Sequence, residues 1–127
     1  MTKVIINGAK GRMGETLLLC GETNPDIEIV AGVDVGDDLA AVIEQTDVVI
    51  DFSFHEVTRP TGELCAQHKK ALVIGTTGHS ADDRAAVLKL QSEIPVVWAS
   101  NFSTGVNTLF WLTRKATEVL GADFDLE

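Results

Sequence analysis

Val4-Ile5-Ile6-Asn7-Gly8-Ala9-Lys10-Gly11-Arg12-Met13-Gly14 decides the fold. A β-branched apolar run meets three glycines spaced three apart, and a Leu-rich segment from Glu15 to Glu22 follows. The pattern predicts a strand, a tight turn and a helix. Gly8 lets the chain turn sharply off the strand end. Gly11 carries no Cβ to obstruct a pyrophosphate. Gly14 lets the helix pack closely on the strand. The helix then opens with free N–H groups and the positive end of its dipole, an arrangement suited to phosphate. The Gly-x-x-Gly-x-x-Gly spacing is one residue longer at its first gap than the usual dinucleotide fingerprint. Alone, an ordinary glycine turn explains it equally well.

A second feature tips that balance. Ile27 to Val33 reads as the next strand and runs into Asp34, 20 residues after Gly14. At about that distance an acid accepts hydrogen bonds from the adenosine ribose in dinucleotide-binding folds. The plainer reading is that Asp34 starts a turn, with Asp37 and Asp38 close behind. The glycines favour the ribose role.

At 127 residues the chain is expected to form one domain. Its net charge of −9 argues against nucleic acid or an anionic membrane surface as partner. No apolar run is long enough to span a bilayer, and the N-terminus, entering a strand at once, lacks a signal-peptide layout. A cytoplasmic location is the expectation. Cys20 and Cys65 fall in predicted helices among apolar neighbours, without metal-ligand spacing or a disulfide framework.

In order, strands are predicted at Lys3 to Asn7, Ile27 to Val33, Asp47 to Asp51, Ala71 to Ile74 and Pro95 to Trp98. Helices are predicted from Arg12 to Glu22 and from Leu39 to Glu44, the second capped by Asp38. A third begins near Thr58, with Pro60 in its first turn, and ends around Lys69. A fourth runs from an Ser80 cap to about Ser92. A fifth runs from Thr104 to Leu120 and stops at Gly121. The alternation calls for a Rossmann-like, doubly wound α/β parallel sheet. Ligands bind beyond the carboxyl ends of such strands. There the sequence places Gly8 to Met13, Asp34, Asp51 to Phe54, Gly75 to Gly78 and Ala99 to Phe102.

At these loops the chain resembles the 4-hydroxy-tetrahydrodipicolinate reductase (dihydrodipicolinate reductase) family of bacterial lysine synthesis. Four pieces carry the likeness: Gly8-Ala9-Lys10-Gly11-Arg12-Met13-Gly14, Asp51-Phe52-Ser53, Gly75-Thr76-Thr77-Gly78, and Ser100-Asn101-Phe102-Ser103-Thr104-Gly105-Val106-Asn107. The last has no reason to occur in a generic dinucleotide-binding domain. The resemblance implies an NADH- or NADPH-dependent reductase of a small-molecule substrate, homotetrameric at full length. It assigns the pyrophosphate to Gly8, Ala9, Lys10, Gly11, Arg12 and Met13. It assigns the nicotinamide end to Gly75, Thr76 and Thr77 with Ala99, Ser100, Asn101 and Phe102. It also implies that the family's substrate and tetramerisation domain is missing. That domain opens soon after the point matched by Phe124-Asp125-Leu126-Glu127 and carries paired histidines, a lysine and Asp-Ala-Pro-Ser-Gly-Thr. This chain is therefore expected to supply the cofactor half, with no catalytic residue and no metal site of its own.

Other readings stay open: the cofactor domain of another amino-acid pathway dehydrogenase, and a non-catalytic dinucleotide-binding module. Asp34 would repel a 2′-phosphate and Val35 offers it no cation, while Lys10 and Arg12 lie close enough to compensate. Dual use is expected, with NADH at least as good as NADPH. Lys10 and Arg12 are phosphate contacts or solvated surface charges. His68 reads as a solvated helix end, His55 as incidental, and His79 as a neighbour of the nicotinamide loop without a catalytic role. In the last helix, Leu109, Phe110, Ala116 and Leu120 are expected to face the sheet. Trp111 and Leu112 spill around the cylinder, so the isolated chain is expected to self-associate.

Overall fold

The computed structural model describes residues 1–125; Leu126 and Glu127, the last two residues of the Phe124-Asp125-Leu126-Glu127 stretch, lie outside the described residues. Five parallel strands form one sheet in the order β2-β1-β3-β4-β5. They are β1 (Thr2–Asn7), β2 (Ile27–Val33), β3 (Val48–Asp51), β4 (Ala71–Ile74) and β5 (Val96–Trp98). Between them run α1 (Arg12–Thr23), the short α2 (Leu39–Val42), α3 (His55–Gln67) and α4 (Ala81–Lys89), and α5 (Thr104–Leu120) follows β5. The order reverses between β1 and β3, so the chain winds in two directions, as the alternating pattern implied.

Both faces of the central strands are apolar because both are meant to be covered. On one face Ile5, Val49, Leu72 and Ile74 pack with Cys65 and Val87 from α3 and α4, all nearly inaccessible. On the other, Val4 and Ile6 pack with Leu17 and Leu18 of α1. That second cover does not reach the far edge, where Val97 is 54% exposed. Predicted caps form as read: Asp38 accepts from the Ala40 N–H and Ser80 from the Asp83 N–H.

Several expectations need correction. Helix α3 begins at His55, one turn before Thr58, so Pro60 lies in its second turn. The Glu56 carbonyl that loses a donor belongs to an exposed residue, where water can replace the bond. His68 is not a free helix end: its Nδ1 meets Glu44 Oε1, which holds the Glu44 carboxyl below its ordinary pKa. Of the cysteines only Cys65 is buried; Cys20 is exposed. The largest departure is α5. It is helical over the expected residues, but every residue in it is exposed. Leu109, Phe110, Ala116 and Leu120 therefore do not lie on the sheet, and Trp111 and Leu112 are as open as they are. The helix leaves β5 in a direction that takes it off the sheet.

Gly14 sits where α1 meets the glycine turn, closer to the turn than to the strand. A Cβ there would stand 2.1 Å from the Gly8 carbonyl oxygen and 2.7 Å from Ala9 Cα. All are backbone atoms, which cannot move aside. Gly14→Ala is expected to destabilise the fold by about 1–3 kcal/mol. Gly105→Ala, whose Cβ would come no nearer than 3.7 Å to Ser103 Oγ, is expected to be neutral or stabilising. Urea unfolding monitored by circular dichroism checks both; equal midpoints for Gly14→Ala and the parent would show that the contact is not tight.

Candidate functional site

All five strands point their carboxyl ends to one edge, and the polar loops collect there. Gly8 turns the chain with φ of +86°, and its own N–H and that of Ala9 both donate to the Val33 carbonyl, at 2.9 and 3.0 Å. The Gly11 N–H donates back to the Gly8 carbonyl at 3.1 Å. The turn thus consumes the N–H groups of residues 8, 9 and 11. Arg12, Met13 and Gly14 follow in the first turn of α1, where N–H groups have no intrahelical partner. The cap position is Gly11, with no side chain to satisfy them. That leaves a concentrated set of donors at the positive end of a 12-residue helix. At Gly11 a Cβ would meet only the Gly8 carbonyl oxygen, at 3.3 Å; the rest of the space is open.

Asp34 faces this turn across the β2 end. Its Oδ2 accepts from the Lys10 N–H at 2.7 Å and its Oδ1 from the Val35 N–H at 2.8 Å. These two donors, Lys10 first, hold its carboxyl below the ordinary range. Asp34 therefore latches the glycine turn to β2, and each oxygen keeps further accepting capacity. Both the turn-forming and ribose-accepting readings fit one carboxylate. Lys10 Nζ lies 3.9 Å from Asp37 Oδ2 at the surface.

Two cavities open on this edge. The first, about 560 Å³, is lined by Gly8, Lys10, Gly11, Asp34, Phe54 and Val57 among others. The second, about 600 Å³, lies over β4 and β5 between Thr76, Thr77, His79, Trp98, Ser100 and Asn101. Phe52 borders the first cavity and packs on Gly75, where a Cβ would fall 2.1 Å from its ring. Phe102 approaches the Phe52 ring at 6.1 Å between centroids. The residues singled out in the sequence thus divide into two groups. Gly8, Lys10, Gly11 and Asp34 line the first cavity; Arg12 and Met13 are exposed at its helix, and Ala9 is buried beneath it. Thr76, Thr77, Ala99, Ser100 and Asn101 line the second; outside both groups, Gly75 lies against the Phe52 ring and Phe102 lines a third hollow with Thr104, Asn107, Thr108 and Trp111.

Not every side chain is offered outward. The Thr76 hydroxyl is buried: it accepts from the Ser53 N–H at 3.0 Å and donates toward Asp51. Thr77 is exposed and keeps its hydroxyl free for a ligand. Asn101 Oδ1 accepts from the Ser103 N–H and from Asn107 Nδ2, each at 3.1 Å. Ser103 Oγ in turn accepts from the Val106 N–H. The Ser100 to Asn107 segment is thus a knot that fixes the start of α5, a role the sequence reading missed. It also missed Asp51 as a hub. This carboxylate is fully buried and accepts from Asn7 Nδ2 at 3.1 Å, Thr58 Oγ1 at 2.7 Å, the Ser53 N–H at 3.2 Å and the Ser53 hydroxyl. Its position at a strand end and its place in the Asp51-Phe52-Ser53 piece pointed to it, but not to this role.

His79 meets the Trp98 ring edge-on at 4.9 Å, and its Nε2 is buried with no hydrogen-bond partner. Burial holds its pKa below the ordinary imidazole value. Burial likewise pushes the Cys65 thiol up to about 12, helped by Asp51, so it is no nucleophile near neutral pH. No group of three or more His, Cys, Asp or Glu among the described residues could hold a metal ion, and no helix among them is long and apolar enough to cross a membrane.

Known proteins match this architecture. The family model for the dihydrodipicolinate reductase N-terminus matches residues 2–102. A 4-hydroxy-tetrahydrodipicolinate reductase of Akkermansia muciniphila is 41% identical over 127 residues, all of this chain and 52% of its own length. One from Desulfotalea psychrophila is also 41% identical, over all of this chain and 56% of its own. The chain thus spans about half the length of these relatives. Among solved structures, a dipicolinate-bound dihydrodipicolinate reductase from Paenisporosarcina sp. TG-14 superposes with a TM-score of 0.79. It covers 92% of this chain and 54% of the other at 24% identity, a likeness of fold. The matched segment runs from β1 through Phe102 and holds both cavities' strand-end loops: the chain belongs to the dihydrodipicolinate reductase N-terminal family.

Proposed function

We propose that this chain is the cofactor-binding half of an NAD(P)H-dependent 4-hydroxy-tetrahydrodipicolinate reductase, serving lysine and diaminopimelate synthesis. The observation that carries the reading is the uncapped start of α1 over an open Gly11, beside a cavity bordered by Asp34. A dinucleotide fits this layout. The N–H groups of Arg12, Met13 and Gly14 would hold the pyrophosphate, with the Lys10 and Arg12 side chains adding charge. Asp34 would accept from the adenosine ribose. At the other cavity the Thr77 hydroxyl and the backbone of Gly75 and Ala99 to Asn101 would orient the pyridine ring. A bound nicotinamide supplies the hydride; the chain supplies binding and orientation.

Asp34 and Asp37 stand together at the ribose end, and among the described residues Lys10 is the one cation paired with them. A 2′-phosphate would meet two carboxylates and one shared cation, so we take both nucleotides to be used, NADH at least as well as NADPH. The proton donor and the substrate's carboxylate site are assigned to the part of the relatives' length this chain does not span. Tetramerisation of the whole protein is assigned there too. In this chain alone, the uncovered α5 side chains would pair with those of another copy.

Three outcomes are expected. The purified 127-residue chain binds both NADH and NADPH, NADH at least as tightly at the same ionic strength, and does not turn over the substrate; a preference for NADPH above about tenfold would show this reading wrong. Fluorescence titration and a nicotinamide absorbance assay check this; turnover by the chain, or no binding at millimolar nucleotide, overturns it. Gly11→Val, whose Cβ would sit a tight 3.3 Å from the Gly8 carbonyl oxygen, is expected to lose NADH binding by more than it lowers the urea midpoint. Retained binding would reduce Gly11 to a turn glycine. Sedimentation velocity at rising concentration is expected to show association, with Trp111 emission shifting to the blue. A clean monomer at high concentration would mean that α5 needs no cover.

A further inference from the structure

Asp51 is a buried carboxylate whose hydrogen-bond donors are all neutral: the Asn7 amide, the Ser53 N–H and hydroxyl, the Thr58 hydroxyl and the Thr76 hydroxyl. A charge in such a place is tolerated only when its oxygens are fully bonded. The donors come from the end of β1, the loop after β3, the first turns of α3 and the loop after β4. One residue therefore ties together the strand ends that carry both cavities.

Its hold on them is unequal. The glycine turn is pinned independently by the Val33 carbonyl, by Asp34 and by the close packing of Gly8 on the Phe52 carbonyl. The loop after β4 has fewer ties. Gly75 donates its N–H to the Asp51 carbonyl at 2.9 Å, and among the described residues the Thr76 hydroxyl bonds only to Asp51 and to the Ser53 N–H. With that hydroxyl turned inward, Thr77 is the threonine left facing the second cavity.

We infer that Asp51 is a positioning residue for the pyridine end of the site, acting through Thr76, the one of its donors that lines the second cavity, and touching no ligand itself. This rests on the cofactor reading above. Its consequence is selective: loosening Asp51 weakens recognition of the nicotinamide half and spares the adenosine half.

The test compares NADH with ADP-ribose, which shares the adenosine and pyrophosphate but lacks the pyridine, by calorimetry on the 127-residue chain. For Asp51→Asn, NADH affinity is expected to fall by about tenfold, the scale of one or two lost hydrogen bonds. ADP-ribose affinity is expected to stay within about twofold of the parent. Thr76→Val leaves Asp51 its other donors and is expected to repeat the selective loss; Thr76→Ser, which keeps the hydroxyl, is expected to restore NADH binding. If Asp51→Asn does not fold, the Thr76 pair decides. Equal losses for both ligands, or no loss in Thr76→Val, overturn the inference while leaving the cofactor reading intact. A parent chain that binds neither ligand overturns both.

Discussion

Backbone meets backbone where Gly14 of α1 lies against the Gly8 carbonyl, and the working edge depends on that contact. It sets how far α1 stands from the sheet and aims the helix start over the strand ends. With the turn fixed this way, the Val33 carbonyl can take two N–H groups and Asp34 a third, which locks β2 beside β1. On the other side Gly8 lies against the Phe52 carbonyl, so the exit from β3 is set by the same turn. The glycines are therefore structural spacers first. The uncapped, donor-rich start of α1 follows from the geometry they permit.

What was legible in the sequence was what local chemistry alone determines. Gly8 to Gly14, the Asp38 and Ser80 caps and the β-branched strand runs each specify their own conformation, so elements and topology followed. Errors arose where a distant partner decides. Pro60 marks a helix start when read locally. Yet α3 begins at His55, a turn early enough to set Thr58 against the Asp51 carboxylate. His68 is paired with an acid 24 residues away, which no spacing rule announces. The apolar residues of α5 correctly signal a helix with a sticky side. They cannot signal what covers it, because that depends on the direction of the Ala99 to Ser103 turn.

The site residues show the same division. Gly11 and Asp34 line the first cavity and Thr77 the second. Thr76 looks equivalent to Thr77 in sequence but is buried at 6% exposure and spends its hydroxyl inside the protein. Asn101 spends its side-chain oxygen on Ser103 and Asn107. In both cases the polar group holds loop backbone in place, and that backbone, with the neighbouring exposed side chain, is what remains for recognition. A buried carboxylate served by neutral donors has no sequence signature beyond an acid ending an apolar strand.

Helix α5 has a consequence for how the molecule breathes. A helix of 17 residues standing clear of the sheet draws little from tertiary packing. Its persistence rests on the Ser103 cap, the Asn101–Asn107 tie and the Lys115–Glu118 pair at 2.6 Å. The amides of β1, β3 and β4, buried between covered faces, exchange with solvent only when the whole domain opens. Those of α5 exchange through local fraying, at a free energy set by its caps. The chain therefore carries two levels of protection, a cooperative sheet and a separately melting arm joined at residue 103.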